Sequence, residues 1–199
     1  MKKTRLALAV ITKYLDNLSP YIDFIENASE NDFQINKIII VYSHNINKMI
    51  YYNLKDYLEK HNTKLIVIKA NSDPLLQRSL KKRGITNKAI ENLTTSPNFK
   101  TYGLIPYGHY RNVALLTALT QSPPIDYLFF IDTDVYPFLL QRKNNKYFLE
   151  SIDFFGEHLQ YLKKKDVAIS SSDYSGYYIL PPLNITYLKE LLIGLQKDK

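Results

Sequence analysis

The stretch Tyr127-Leu128-Phe129-Phe130-Ile131 is a short run of apolar and aromatic residues that ends in Asp132-Thr133-Asp134, with Pro137 just beyond. A run this short, with no polar alternation, predicts a central strand of a parallel sheet covered on both faces. Pro137 cannot donate to a ladder and helps to end the strand. Open α/β sheets bind their ligands just beyond the carboxyl ends of the strands, so the two carboxylates stand where chemistry is usually housed. Two hard oxygen donors one residue apart suit Mg²⁺ or Mn²⁺. The plainer reading is a surface turn with two solvated aspartates, because short motifs recur by chance. The buried run before them favours a metal and phosphate site.

Similar apolar runs recur along the chain and alternate with helical patterns. Strands are expected at residues 6–11, 38–42, 65–68 and 167–170. A helix over 19–28 opens on Ser19 as N-cap and Pro20 at its first position. A second, over 46–60, carries Ile46, Met49, Ile50, Leu54, Tyr57 and Leu58 near one face. A third, over 74–82, opens at Asp73-Pro74 and stops at Gly84. Residues 85–105 show little periodicity and predict a loop-rich insertion. Further helices are expected over 107–121, ending before Pro123-Pro124, over 147–165, and over 184–196 with Asn184 as cap. The alternation predicts an α/β fold, a mainly parallel Rossmann-like sheet flanked by helices. At 199 residues the chain has the length of one domain with a real core. No internal repeat, linker or low-complexity tract interrupts it.

A hydrophobic content of 45% with 23% charged residues is that of a soluble globular protein. Met1-Lys2-Lys3-Thr4-Arg5 and the apolar residues 6–11 imitate a signal peptide, but the apolar core is too short and no small-residue cleavage site follows. No stretch has the length needed to span a membrane. With no cysteine there are no disulfides and no thiolate metal sites, and the chain fits a reducing compartment such as the cytoplasm. The net charge of +7 favours anionic ligands or an anionic membrane surface. It is spread in small groups, Lys81-Lys82-Arg83 and Lys163-Lys164-Lys165, that read as solvated helix ends, and nucleic acid is not an expected partner. The 17 tyrosines would suit a cleft for sugars and bases, but tyrosine is equally a strand residue, so they decide nothing alone.

Tyr110-Arg111-Asn112-Val113-Ala114-Leu115-Leu116 on a helix, followed by the strand that ends in Asp132-Thr133-Asp134, resembles the nucleotide-sugar glycosyltransferases of the GT-A fold. Many of those carry Arg-Asn near the start of one helix, and D-x-D after the next strand. Tyr174-Ser175-Gly176-Tyr177-Tyr178 is similar to the segment in which a glycine sits beside the donor sugar. The resemblance follows the order of the chain from the first strand to the last helix. It implies a single GT-A-like catalytic domain that moves a sugar from a UDP- or GDP-sugar donor to a hydroxyl acceptor such as a glycan, with Mn²⁺ or Mg²⁺ as cofactor. It makes Asp134 the principal metal ligand and gives Asp132 the donor ribose or the metal through water. Arg111 would face the nucleotide or diphosphate, its other reading being a helix-surface arginine. Thr12 and Tyr14, at the end of the first strand, would meet the nucleobase, and Asn71 would line the same cleft. Tyr42 would join them, although Tyr42-Ser43-His44 stands where many members carry an acidic residue. Gly176 would lie beside the donor sugar. An inverting enzyme needs a carboxylate base near the acceptor hydroxyl, for which Asp173 is the nearest candidate, with capping as its other reading.

Many GT-A enzymes take a further metal ligand from a late histidine, but His44, His61, His109 and His158 all precede Ser175-Gly176. Either water and diphosphate complete the metal shell, or the chain is a piece of a longer protein. His109 stands close to Arg111, with a surface-helix role as its plainer reading. Haloacid-dehalogenase phosphatases also place D-x-D after an apolar strand. They want a hydroxyl or valine where Tyr136 stands, and a later Gly-Asp-x-x-x-Asp that is missing. A nucleotidyltransferase would want a glycine-rich loop after the first strand, and Thr12-Lys13-Tyr14-Leu15 has no glycine. A non-catalytic sugar- or nucleotide-binding module is the other alternative.

Overall fold

The computed structural model describes residues 4–70, 74–94, 107–164 and 166–170. Its elements run β1 (Leu6–Leu15), α1 (Ser19–Glu30), β2 (Ile35–Ile46), α2 (Lys48–Lys60), β3 (Lys64–Lys69), α3 (Pro74–Lys82), α4 (Asn87–Thr94), α5 (Tyr107–Leu119), β4 (Tyr127–Ile131), β5 (Phe138–Lys143), β6 (Lys146–Ser151) and α6 (Phe154–Leu162). The first four strands form one all-parallel sheet in the order β3-β2-β1-β4. The chain thus steps outward from β1 to β3, then crosses back to pair β4 with the other side of β1. Right-handed crossovers put helices on opposite faces when the direction of travel reverses. Between β1 and β4 the sheet therefore has a switch point, with an open crevice at its carboxyl edge.

The two cores follow from this. On one face Leu6, Leu8 and Val10 of β1 and Ile38 and Ile40 of β2 pack with Phe24 of α1, Leu54 and Leu58 of α2 and Phe155 and Leu159 of α6. On the other, Ala9, Ile11, Ile39 and Val41 pack with Leu76 and Leu80 of α3, Ile90 of α4 and Tyr110, Val113, Ala114 and Ala118 of α5. Because β1 and β2 feed both cores, every residue of their middle is apolar. At the amino edge of the sheet, Asp126 accepts from the Arg5 backbone at 2.9 Å and pairs with its guanidinium at 3.3 Å, joining the starts of β1 and β4. Buried Lys37 donates to the Pro123 carbonyl at 3.0 Å. Desolvation, then Lys64 and Arg5, hold its ammonium below the usual lysine range.

Several expectations are corrected. β4 is not a central strand: among the described residues it is the outermost of its sheet, and Phe130 is 42% exposed. Residues 85–105 are not simply a loop, since Asn87–Thr94 is helical and buries Ile90 against α5. Ser19 is not the cap of α1. Leu18 holds that position without a side-chain bond, while the Ser19 hydroxyl bonds to Asp23 at 3.1 Å and its N–H donates to Asn17 Oδ1 at 3.0 Å. The expected helix over 147–165 is half hairpin: β5 and β6 pair antiparallel, and α6 begins only at Phe154, capped by Asp153. Residues 167–170 form no strand. The expected helix over 184–196 lies outside the described residues.

His158 of α6 stacks edge-on against Phe129 and Phe154, and its Nδ1 meets the Ser170 hydroxyl at 2.9 Å. Desolvation by these rings lowers its pKa from 6.5, opposed by Glu157. The unfolded chain then binds a proton more readily than the folded one, so stability is full above 6.5 and falls as the pH drops from 6.5 toward the folded value. The urea midpoint should fall with acidification over that window, and His158→Gln should remove that part of the slope. An unchanged slope in the variant would assign it to other groups.

Candidate functional site at the switch point

β1 runs on to Leu15 beside β2, while its Val10 is in register with Ile131, the last residue of β4 at the carboxyl edge. Asp132 and Asp134 follow at once, in a turn closed by the Val135 N–H on the Asp132 carbonyl at 3.2 Å. α5 runs antiparallel to the strands beneath this edge, as a crossover helix must, and its first turns face the crevice. Tyr110, Val113 and Ala114 lock its inner side to the sheet. One residue on, about 100° around the helix, Arg111 is carried to the exposed side. Ile11, Arg111, Asp132, Thr133 and Asp134 line one cleft of about 430 Å³ at the switch point. Asp132 is half-buried, and Thr133, Asp134 and Arg111 are exposed.

The cleft therefore brings a permanent cation to face two carboxylates. Among the described residues no three acidic, histidine or cysteine side chains cluster to hold a metal. Asp132 and Asp134 are hard oxygen donors on an open cleft, which fits Mg²⁺ or Mn²⁺, ions that keep several waters and share their shell with phosphates. The positive end of α5 and the Arg111 fork are groups of the kind that attract anionic oxygens.

Ile11 of β1 lines the cleft, and the ends of β1 and β2 continue beyond it. Thr12 pairs with Tyr42 and Tyr14 with Asn45, so β2 carries one extra residue there, a bulge of the kind common next to functional sites. Thr12 is buried, and its hydroxyl donates to the Tyr14 carbonyl at 2.6 Å, so it shapes the strand end from within. Tyr14 is exposed, its ring 5.4 Å from that of His44. The Ser43 hydroxyl lies 2.7 Å from His44 Nδ1 and also bonds to the buried Tyr110 hydroxyl. Burial raises the Tyr110 phenol, with the Ser43 bond opposing.

The structure thus unites Arg111, Asp132 and Asp134 in one cleft and sets Tyr14 and half-buried Tyr42 on the neighbouring strand ends. Asn71, Asp173 and Gly176 lie outside the described residues. His109 is half-buried on α5 and does not line the cleft. Asn112 turns from the cleft to donate to the Leu93 carbonyl of α4 at 3.3 Å, so the second half of the Arg-Asn pair fixes the helix. The Tyr110–Ser43–His44 chain was missed because its members are far apart in sequence. Only the tyrosine directly before Arg111 hinted that the helix is anchored there.

Arg111→Lys keeps the charge but loses the planar fork. Losing one charged hydrogen bond costs about 1.5 kcal/mol, so if the cleft takes a nucleoside diphosphate its affinity should fall roughly tenfold. Equal affinity by calorimetry would return Arg111 to a surface role.

Comparisons with protein-family models, curated proteins and solved structures find no match to this chain.

Proposed function

We propose that the protein is a metal-dependent glycosyltransferase of the GT-A kind, transferring a sugar from a nucleoside-diphosphate-sugar donor to a hydroxyl acceptor such as a glycan. The observation that carries this reading is the cleft in which Arg111 faces Asp132 and Asp134 at the carboxyl edge of a parallel sheet. Departure of a nucleoside diphosphate from the sugar builds negative charge on phosphate oxygens. Asp132 and Asp134 would hold a divalent cation there, which would supply Lewis-acid neutralisation of that charge. Asp134 is the principal ligand in this reading, and Asp132 takes the ribose or reaches the metal through water. Arg111 adds fixed positive charge, and α5 directs its amino end to the same place. Exposed Tyr14, beside His44, offers an aromatic face for the base.

Incubation with UDP- and GDP-sugars, Mn²⁺ and glycan acceptors, read by mass spectrometry, tests it. The expected products are intact UDP or GDP and a glycoside or, slowly, free sugar. A phosphate adduct on Asp132, or hydrolysis of simple phosphate esters without sugar transfer, would replace this reading by a phosphatase.

A further inference from the structure

The β5–β6 hairpin begins four residues after Asp134 and forms a two-stranded sheet of its own. Its turn, Asn144-Asn145, has φ of 52° and 59° at two residue positions, the left-handed conformation of tight hairpin turns that asparagine tolerates. Its base is held. Asn27 of α1 donates to Ser151 Oγ at 3.1 Å and to the Ile152 carbonyl at 2.6 Å. Beyond the base every residue of β6 is exposed. Two-stranded ribbons are marginal on their own, and large exposed apolar side chains on one mark an interface.

The exposed residues divide in a particular way. Leu140 pairs with Leu149, and Arg142 with Tyr147, so these four share one face. Phe148, opposite Gln141, stands on the other face. Tyr147 is 62% and Leu149 67% exposed, and Phe148 is exposed as well. Arg142, Lys143 and Lys146 surround the turn, all exposed, and the only acidic residue of the two strands, Glu150, lies at the base. Arg142 stacks on the Tyr147 ring at 5.6 Å and donates to Asn145 at 2.9 Å, which stiffens the tip.

We propose that this hairpin docks the protein on an anionic phospholipid bilayer. Three cations match lipid phosphates, and each basic residue near such a surface strengthens binding about fivefold. Aromatic and leucine side chains beside them match the headgroup–acyl boundary. The two-sided placement selects a bilayer over a protein. A protein partner or a second copy would cover the Leu140–Leu149–Tyr147 face and leave Phe148 in water, whereas a bilayer surrounds both faces of an inserted tip. A nucleic acid would meet the cations and leave the leucines without a partner. The proposal stands apart from the sugar-transfer reading and is tested without donor or metal.

Co-sedimentation with vesicles of phosphatidylserine and phosphatidylcholine in equal amounts should carry the protein down, while pure phosphatidylcholine vesicles should not. Replacing Arg142, Lys143 and Lys146 together by glutamine should lower the partition coefficient roughly a hundredfold. All three are exposed, so the fold should survive, as circular dichroism would show. The chain has no tryptophan, so Tyr147→Trp supplies a unique reporter. Its emission should shift to the blue with anionic vesicles and be quenched by brominated acyl chains, whereas Tyr52→Trp on α2 should show neither effect. Absence of sedimentation with the anionic vesicles, equal sedimentation of the glutamine variant, or lack of quenching at residue 147 would each overturn the proposal. So would a dimer in sedimentation velocity that Leu149→Glu dissociates.

Discussion

Asp134→Ala should leave the fold intact and remove metal-dependent binding of nucleoside diphosphates. Asp134 is exposed beyond the end of β4 and makes no part of either core, so its truncation leaves no cavity. The loss in affinity should be large. Removing even an outer partner of a metal ligand costs about 10- to 100-fold, and removing one of the two carboxylates that the described residues bring to the cleft should cost more than about 100-fold. Calorimetric titration of UDP and GDP with Mn²⁺ measures it. Binding without metal should be weak in both proteins, because the two carboxylates then repel the phosphates that Arg111 attracts. Unchanged metal-dependent affinity in the variant would remove Asp134 from the site.

Phe155→Ala should be the most damaging single truncation away from the cleft. Phe155 is fully buried, and its ring meets Phe24, Phe33, Phe129 and Phe154 with centroids 5.0–6.3 Å apart. Phe→Ala in such a core costs about 3–5 kcal/mol, a large share of the 5–15 kcal/mol that holds an ordinary domain. At about 2–4 °C per kcal/mol, the melting temperature should drop by roughly 6–20 °C. Phe129 lies on β4, two residues before Ile131, so the same truncation loosens the strand that presents the carboxylates. A loss under about 1 kcal/mol would show that α6 is not a part of the core that supports β4.

The parallel sheet could be read from the chain because β1, β2 and β3 are short apolar runs, and such runs have one comfortable home. The position of β4 could not. Burial on both faces was inferred from Phe129-Phe130-Ile131, but hydrophobicity alone does not say whether a strand is central or outermost, and Phe130 is exposed. β1 and β2 continue past the expected ends, at residues 11 and 42, because their ladder carries on through polar positions such as Thr12, Tyr14 and Asn45, which lack an apolar signature. The hairpin is hidden for a different reason. Tyr147, Phe148 and Leu149 are tolerated in a helix as well as in a strand, and the contrary signal is Asn144-Asn145, a pair that accepts positive φ. Within the candidate site, Asp132 and Asp134 are legible from their place at a strand end, where a parallel sheet collects its ligands, whereas Arg111 is singled out only by the resemblance of its Arg-Asn helix start. The role of Asn112 is not legible, because only the packing of α4 on α5 shows that it faces Leu93.

Thermal unfolding with a panel of UDP- and GDP-sugars, with Mn²⁺ and with chelator, tests the proposed function most directly. A donor present at a hundred times its dissociation constant stabilises the folded state by about 2.7 kcal/mol, which raises the melting temperature by roughly 5–10 °C. The prediction is a rise of that size for at least one donor, only with Mn²⁺ present, and absent in Asp134→Ala. No rise with any donor, or a rise that chelator and Asp134→Ala leave untouched, would contradict a metal-bridged nucleoside diphosphate at this switch point.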